Sequence, residues 1–288
     1  MQWYKNLQSQ IDTSIENIFK NRYDFSQDAA ENQFFKAMRY AVEGGGKRIR
    51  AILAILAYEY ISKQSVTKKE IEIFCGIEMV HAYTLVHDDL PCMDDDILRR
   101  GKPTVWKKYS ETTAVLVGDA LQTLGYELLS DSENIKILQE ITKTMGDLGV
   151  VRGQVRDTVL QQDALSLEEL FRIHDEKTGS FIASSLVIGA ILAEADEKMI
   201  AILRRLGFLI GRAFQIKDDI LDVEGDAEIV GKKTNKDGEN GKGIVALVGL
   251  EESKKILESL EKEIQSSVRL IDDERITQIS HFIIHREK

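Results

Sequence analysis

Proline is nearly missing from this 288-residue chain: there are two, Pro91 and Pro103, and both flank one acidic stretch. Proline breaks helices, and Val/Ile alternation of the strand kind is also scarce, so the sequence reads as long helices. Cysteine is as sparse. Cys75 and Cys92 could form one bridge at most and have no partner Cys or His at metal-ligand spacing, which excludes a disulfide scaffold and a zinc site. Cys75 stands in an apolar run and reads as a small core residue. The longest nearly apolar run, Phe181 to Ala193, is too short for a bilayer and contains Ser184 and Ser185. The opening Met-Gln-Trp-Tyr-Lys has no apolar signal region, so a soluble, cytoplasmic protein without a membrane span is expected. Positive charge is in deficit, 38 Lys and Arg against 48 Asp and Glu, for a net charge of -10. That balance argues against a nucleic-acid partner, and any anionic ligand has to be held by local cations and metal. Linker composition and internal repeats are absent too, so residues 1–288 read as a single all-α domain.

What the chain does have is acid in two places. Asp88-Asp89-Leu90-Pro91-Cys92-Met93-Asp94-Asp95-Asp96 has five acidic residues in nine, as does Asp218 through Asp226. Each follows a strongly apolar segment. Carboxylates this dense repel one another, and hard divalent cations answer that repulsion with oxygen-only coordination. Mg2+ usually takes one or two carboxylates and completes its shell with water and phosphate, so two such clusters suggest jaws closing on a diphosphate. Neither cluster has the alternating loop and distant Glu of an EF-hand.

The chain in order supplies the surroundings. Amphipathic helices are expected over 2–21 and 28–43, the second stopped by Gly44-Gly45-Gly46. Lys47, Arg48 and Arg50 then open an apolar helix over 51–61; backbone donors beside three cations make an anion seat, or else a plain turn with solvated charges. Thr67 with Glu70 is a capping-box pattern starting a mostly buried helix to about His87. On it His81 and Asp88 share a face about 10 Å apart along the axis. Pro91 ends or bends that helix, which lets Asp94 turn back toward Asp88. Arg99 and Arg100 follow, then a loop, Gly101-Lys102-Pro103-Thr104. Paired arginines here either neutralise the acids or grip diphosphate oxygens. A helix over 110–130 is expected next, with Ser130 and Glu133 as a possible cap for its successor; Gly153, Gln154 and Asp157 read as structural. Ser166 with Glu169 is a second capping box, leading to Lys177-Thr178-Gly179, where the helix either kinks or ends. In a helix over 196–223, Gln215, Asp218, Asp219 and Asp222 fall at i, i+3, i+4 and i+7 on one face with no base among them. Like charges at i, i+4 cost ~0.2–0.5 kcal/mol per pair, so that stripe asks for a ligand. The Lys- and Gly-rich stretch around 231–243 reads as a lid or a surface loop, and helices close the chain over 244–265 and 272–286.

Both acid motifs, with Gly-Gly-Gly-Lys-Arg-Ile-Arg at 44–50 and Leu-Arg-Arg-Gly-Lys-Pro-Thr at 98–104, resemble the trans-isoprenyl diphosphate synthases, most nearly the bacterial farnesyl type, over roughly residues 30–250. The resemblance implies an isoprenoid-synthase-type helical bundle around a deep cavity, usually a homodimer, that joins an allylic diphosphate head to tail with isopentenyl diphosphate. It implies Mg2+, about three ions per site, on Asp88, Asp89 and Asp94 and on Asp218, Asp219 and Asp222. It implies that Arg99, Lys177, Thr178, Gln215, Lys232 and Lys242 attend the allylic substrate, and that Lys47, Arg50, His81 and Arg100 hold isopentenyl diphosphate. Thr178, Gln215 and a carbonyl near Lys177 are the expected partners of an allylic cation. Tyr83, five residues before the first motif, is the expected floor for a C15 farnesyl product. The chain departs from the family pattern with Arg152-Gly153-Gln154 and with Gly243-Ile244-Val245, which leaves loop closure open. Competing readings are a geranyl or geranylgeranyl synthase, a terpene cyclase, and a non-catalytic subunit of a heteromeric synthase; a cyclase has no need of a second diphosphate seat.

Overall fold

The computed structural model describes residues 1–23, 30–158, 165–228 and 243–285. Internal contacts group them into two compact units, Met1–Leu138 and Gln139–Lys288. Among the described residues the architecture is all-α, relieved by one two-residue-per-strand hairpin.

In the first unit the order is α1 (Gln2–Arg22), α2 (Ala30–Glu43), α3 (Ile49–Ser62), α4 (Lys68–Asp88), β1 (Leu98–Arg99), β2 (Lys102–Pro103), α5 (Val105–Lys108) and α6 (Glu111–Ser130). α3 is apolar on every side from Ala51 to Ala57, and all seven residues are fully buried. A helix of that kind forms the centre of a core rather than its edge. α4 begins at the expected capping box: the Thr67 side chain accepts from the helix backbone while Glu70 reaches back to Thr67 N. It packs along α6, and Phe74, Ile77 and Met79 are sealed inside. At ~1.5–3 kcal/mol for each large side chain buried, this face dominates the helix's stability.

The second unit starts with α7 (Ile135–Met145), which straddles the boundary, and continues with α8 (Val150–Thr158), α9 (Leu167–His174), a π-helix (Asp175–Gly179), α10 (Ser180–Leu192), α11 (Glu197–Glu228), α12 (Ile244–Val248), α13 (Leu250–Ile271) and α14 (Glu274–Ile284). α10 is the long apolar run; it is buried from Phe181 to Ala190 and packs on α11. α11 contributes Leu203, Leu206, Ile210, Ala213, Ile216 and Ile220 to the core at three- and four-residue steps.

Three local expectations are corrected. Ser130 does not cap α7: its hydroxyl donates back to the Glu127 carbonyl because α6 runs on through it, and Asn134 Oδ1 instead accepts from Lys136 N at 3.1 Å. The helix expected over 244–265 is two helices broken at Gly249, whose φ of 82° is left-handed, and the second runs on to Ile271. The loop expected over Gly101-Lys102-Pro103-Thr104 belongs to a hairpin: Leu98 pairs with Pro103, and the turn residues Arg100 and Gly101 have φ of 53° and 73°, the two positive values of a type I′ turn. Cys75 and Cys92 are both free thiols, the first buried and the second exposed.

Candidate active site

The first acid motif sits where α4 stops. With Pro91 unable to extend the helix, the chain turns back: Met93 N and Asp95 N both reach the Leu90 carbonyl, and Asp94 N bonds the Asp88 carbonyl at 2.9 Å. That last bond sets the backbones of Asp88 and Asp94 side by side, as the proline had led one to expect. Asp89 lies on the inner side, 3 % exposed, and its Oδ1 accepts from both Nε and Nη2 of Arg99 at 2.7 Å. Burial pushes the Asp89 carboxyl up from the ordinary carboxylate value; Arg99 pulls it back, and Asp94 and Asp96 push it further up. So Arg99 neutralises an acid here, the plainer of its two sequence readings.

The tight hairpin turn sends the neighbouring arginine elsewhere. The Arg100 guanidinium lies against Gly46, close enough that a Cβ there would meet its Nη1 at 3.0 Å. Two of the other residues expected at this seat are in direct contact, Arg50 Nη1 donating to His81 Nε2 at 3.2 Å; the ring proton is therefore assigned to Nδ1. Burial, then Arg50, Arg100, Arg99 and Arg48, hold the His81 imidazole well below its usual value, so the ring is neutral at pH 7. Arg50 itself is pushed down to about 10, first by burial and also by Arg100, with Glu78 opposing. Arg100 is lowered for the same reason. Cations that depress one another are a site for an anion, which would relieve all of them together. Tyr83, also on α4, is buried; burial raises its phenol to about 12, and Tyr126 and Asp88 add to that while Gln122 bonds it.

In the second unit the expected break near Gly179 is a π-helix, Asp175–Gly179. Such single turns of wider helix recur at functional sites because they displace side chains from the regular helical positions. Thr178, 8 % exposed, donates from Oγ1 to Gln215 Oε1 at 2.9 Å, which joins two of the expected catalytic residues across α11. Lys177 Nζ bonds Asp157 Oδ2 at 2.5 Å. Gly153 and Asp157, which the sequence reading set aside as structural, both contact this turn. Gly153 on α8 lies so close that a Cβ would sit 2.5 Å from Lys177 N, while Arg152 and Arg156 both bind Glu176 and Arg212 forks onto Asp175. A glycine inside a helical pattern flanked by two arginines was the available sign of close backbone contact. The departure Arg152 is thus a ligand of Glu176.

Gln215, Asp218, Asp219 and Asp222 lie on α11 as the sequence spacing requires. Asp219 Oδ2 accepts from Ile244 N at 2.8 Å, so the segment that departs from the family pattern is anchored to the second acid motif. Lys232 and Lys242 lie outside the described residues. Among the described residues no three His, Cys, Asp or Glu side chains already converge as a closed metal cage. The donors are nevertheless of the right kind for Mg2+, an oxygen-only set with room for phosphate and water in the shell, so the residues present fit that ion.

An all-α chain with two carboxylate motifs, a cluster of cations beside the first and a π-turn near the second belongs to the class of diphosphate-handling helical enzymes. The comparisons give the family. The polyprenyl synthetase family model matches residues 31–278, and the chain belongs to that family; it is a prenyltransferase. It is 40 % identical over 245 residues to the farnesyl diphosphate synthase of Bacillus subtilis, covering 82 % of this chain and 81 % of that one. It is 38 % identical over 263 residues to geranylgeranyl pyrophosphate synthase 4 of Arabidopsis thaliana, covering 87 % and 70 %. The structure of a geranyltransferase from Helicobacter pylori, complexed with magnesium and isoprenyl diphosphate, aligns with a TM-score of 0.81 at 31 % identity over 99 % of this chain and 95 % of that one.

Proposed function

We propose that this prenyltransferase is a farnesyl diphosphate synthase: it condenses isopentenyl diphosphate with dimethylallyl and then geranyl diphosphate, with Mg2+, to a C15 product and diphosphate. The observation that carries the reading is the seat formed by the two cations Arg50 and Arg100 with the neutral His81 ring, beside the first acid motif. A cyclase acting on one diphosphate has no use for a second anion seat. We assign that seat, with Lys47, to isopentenyl diphosphate, and the allylic diphosphate to Arg99, Lys177, Lys232 and Lys242. The two units act, on this reading, as one polyprenyl synthetase domain, in keeping with a single family model that crosses their boundary.

Mg2+, about three ions held by Asp88, Asp89 and Asp94 and by Asp218, Asp219 and Asp222 together with diphosphate oxygens, would neutralise charge on the leaving group. The residues do the rest. The allylic C–O bond breaks and its electron pair departs with the diphosphate. Thr178 Oγ1 donates its hydrogen bond to Gln215 Oε1, so the lone pairs of the threonine oxygen, and one of the Gln215 oxygen, remain for the allylic cation. The isopentenyl double bond then attacks, a new C–C bond forms, and one proton leaves to the released diphosphate. Neutral His81 donates to the second diphosphate without competing for that proton. Tyr83, immobilised in the core of the first unit, closes the path of the growing chain at C15. Near-equal identity to farnesyl and geranylgeranyl synthases favours the longer product as the alternative.

The test is the chain length of the product made by purified protein from dimethylallyl and isopentenyl diphosphates with Mg2+. A C15 product with wild type and longer products with Tyr83→Ala support the assignment; a C20 product from wild type refutes it. We also propose a homodimer located in the cytoplasm; among the described residues no helix is long and apolar enough to cross a membrane.

A further inference from the structure

The turn that carries Lys47 and Arg50 is held from a distance. Tyr4 donates its hydroxyl to the Lys47 carbonyl, and Gln8 Nε2, one turn further along α1, donates to the Gly46 carbonyl at 2.7 Å. Asp12, one turn further again, accepts from Arg48 Nε at 2.8 Å. Tyr4, Gln8 and Asp12 are four residues apart and so line one stripe of the helix. Arg48 is itself buried and left-handed, φ 50° and ψ 29°, at the N-cap of α3. An arginine in that conformation is strained and persists only where its surroundings hold it. Here its guanidinium also donates to the Val42 carbonyl at 2.9 Å and lies 3.6 Å from buried Glu78, which accepts from Ala51 N at 3.1 Å. Each contact acts on the peptide immediately before or after Lys47, or on the first turn of α3 that aims Arg50. α1 precedes the residues matched by the family model.

We infer that Tyr4, Gln8 and Asp12 are positioning residues: α1 splints the 44–48 turn so that Lys47 and Arg50 are preset for the diphosphate of isopentenyl diphosphate. The inference rests on the functional reading above for the identity of that ligand. None of the three side chains needs to touch it. What they remove is the freedom of a three-glycine turn, which would otherwise have to be frozen when the anion binds.

The test compares wild type with Tyr4→Phe, Gln8→Leu and the double variant. Calorimetric titration with isopentenyl diphosphate should show on the order of tenfold weaker binding in the double variant, as expected for two lost neutral hydrogen bonds. In turnover assays KM for isopentenyl diphosphate should rise by a similar factor, while kcat and KM for the allylic diphosphate stay within twofold. Unchanged affinity for isopentenyl diphosphate in variants that fold would overturn the inference. So would an equal loss for both substrates, which would make α1 merely structural. Should the double variant not fold, Tyr4→Phe, which removes one oxygen only, carries the same comparison with about a threefold effect. Binding of isopentenyl diphosphate without any condensation by wild type would count against the functional reading, and the calorimetric comparison would still decide the splint.

Discussion

Arg99 and Asp89 show how a single pair can serve two purposes. Asp89 is a carboxyl in a buried place, and Arg99 opposes the upward push that burial gives it. On the function proposed above Asp89 is a metal ligand and must be deprotonated, so losing the arginine should raise its carboxyl further and move the acid limb of the rate profile to higher pH. Arg99→Gln is expected to shift that limb to higher pH, checked by kcat/KM between pH 5 and 8. His174 gives a stability counterpart. It is buried at the entry to the π-helix, with Arg212, Asp157 and Lys177 around it, and burial first of all pushes it down to about 4. Its folded value lies below the unfolded one, so the unfolded chain binds the proton first as pH falls below about 6.5. Stability is intact above that value and drains away toward pH 4, by about 2 kcal/mol between pH 7 and 4.5. His174→Phe should flatten this loss, as read from urea midpoints at the two pH values. Neither effect is legible from sequence, since nothing near Asp89 or His174 in the chain announces which side chain will be shut inside.

At the scale of elements, the two capping boxes, the proline-ended α4 and the glycine break before α10 were all readable, because each depends on residues within four positions of one another. The π-turn itself was not. It exists because α8 comes within backbone contact at Gly153 and pins Glu176 with Arg152 and Arg156. Gly153→Ala should drive a methyl group into the Glu176–Lys177 peptide, where a backbone shift is the only relief. An overpacked contact of this kind costs about 1–3 kcal/mol. The expected outcome is a lowered melting temperature together with a loss of kcat well beyond what the stability change explains, since Lys177 and Thr178 move with the turn; melting and single-turnover rates check it.

For the whole molecule the two acid clusters add to a net charge of -10, and only the local cations act against it. On the function proposed above, diphosphate oxygens complete the shell of Mg2+, so the ion should bind weakly alone and tightly with a diphosphate. Chelator is therefore expected to abolish turnover while leaving the melting temperature unchanged, in contrast to a structural metal, whose removal unfolds its domain. Calorimetry with Mg2+, with and without pyrophosphate, measures the coupling directly.

The sequence by itself determined the all-α class, the family and the acid and basic motifs, because helical periodicity, caps and short motifs are properties of neighbours along the chain. It left open whether the two arginines after the first motif neutralise its acids or grip a ligand, and α1 unremarkable. Only the folded chain sent Arg99 to Asp89 and Arg100 to Gly46, tied Lys177 to Asp157, and laid Tyr4 and Gln8 against a turn some forty residues away. Pairings of that kind are chosen by packing: every charge in the sequence has many possible partners, and the fold brings only a few of them within reach.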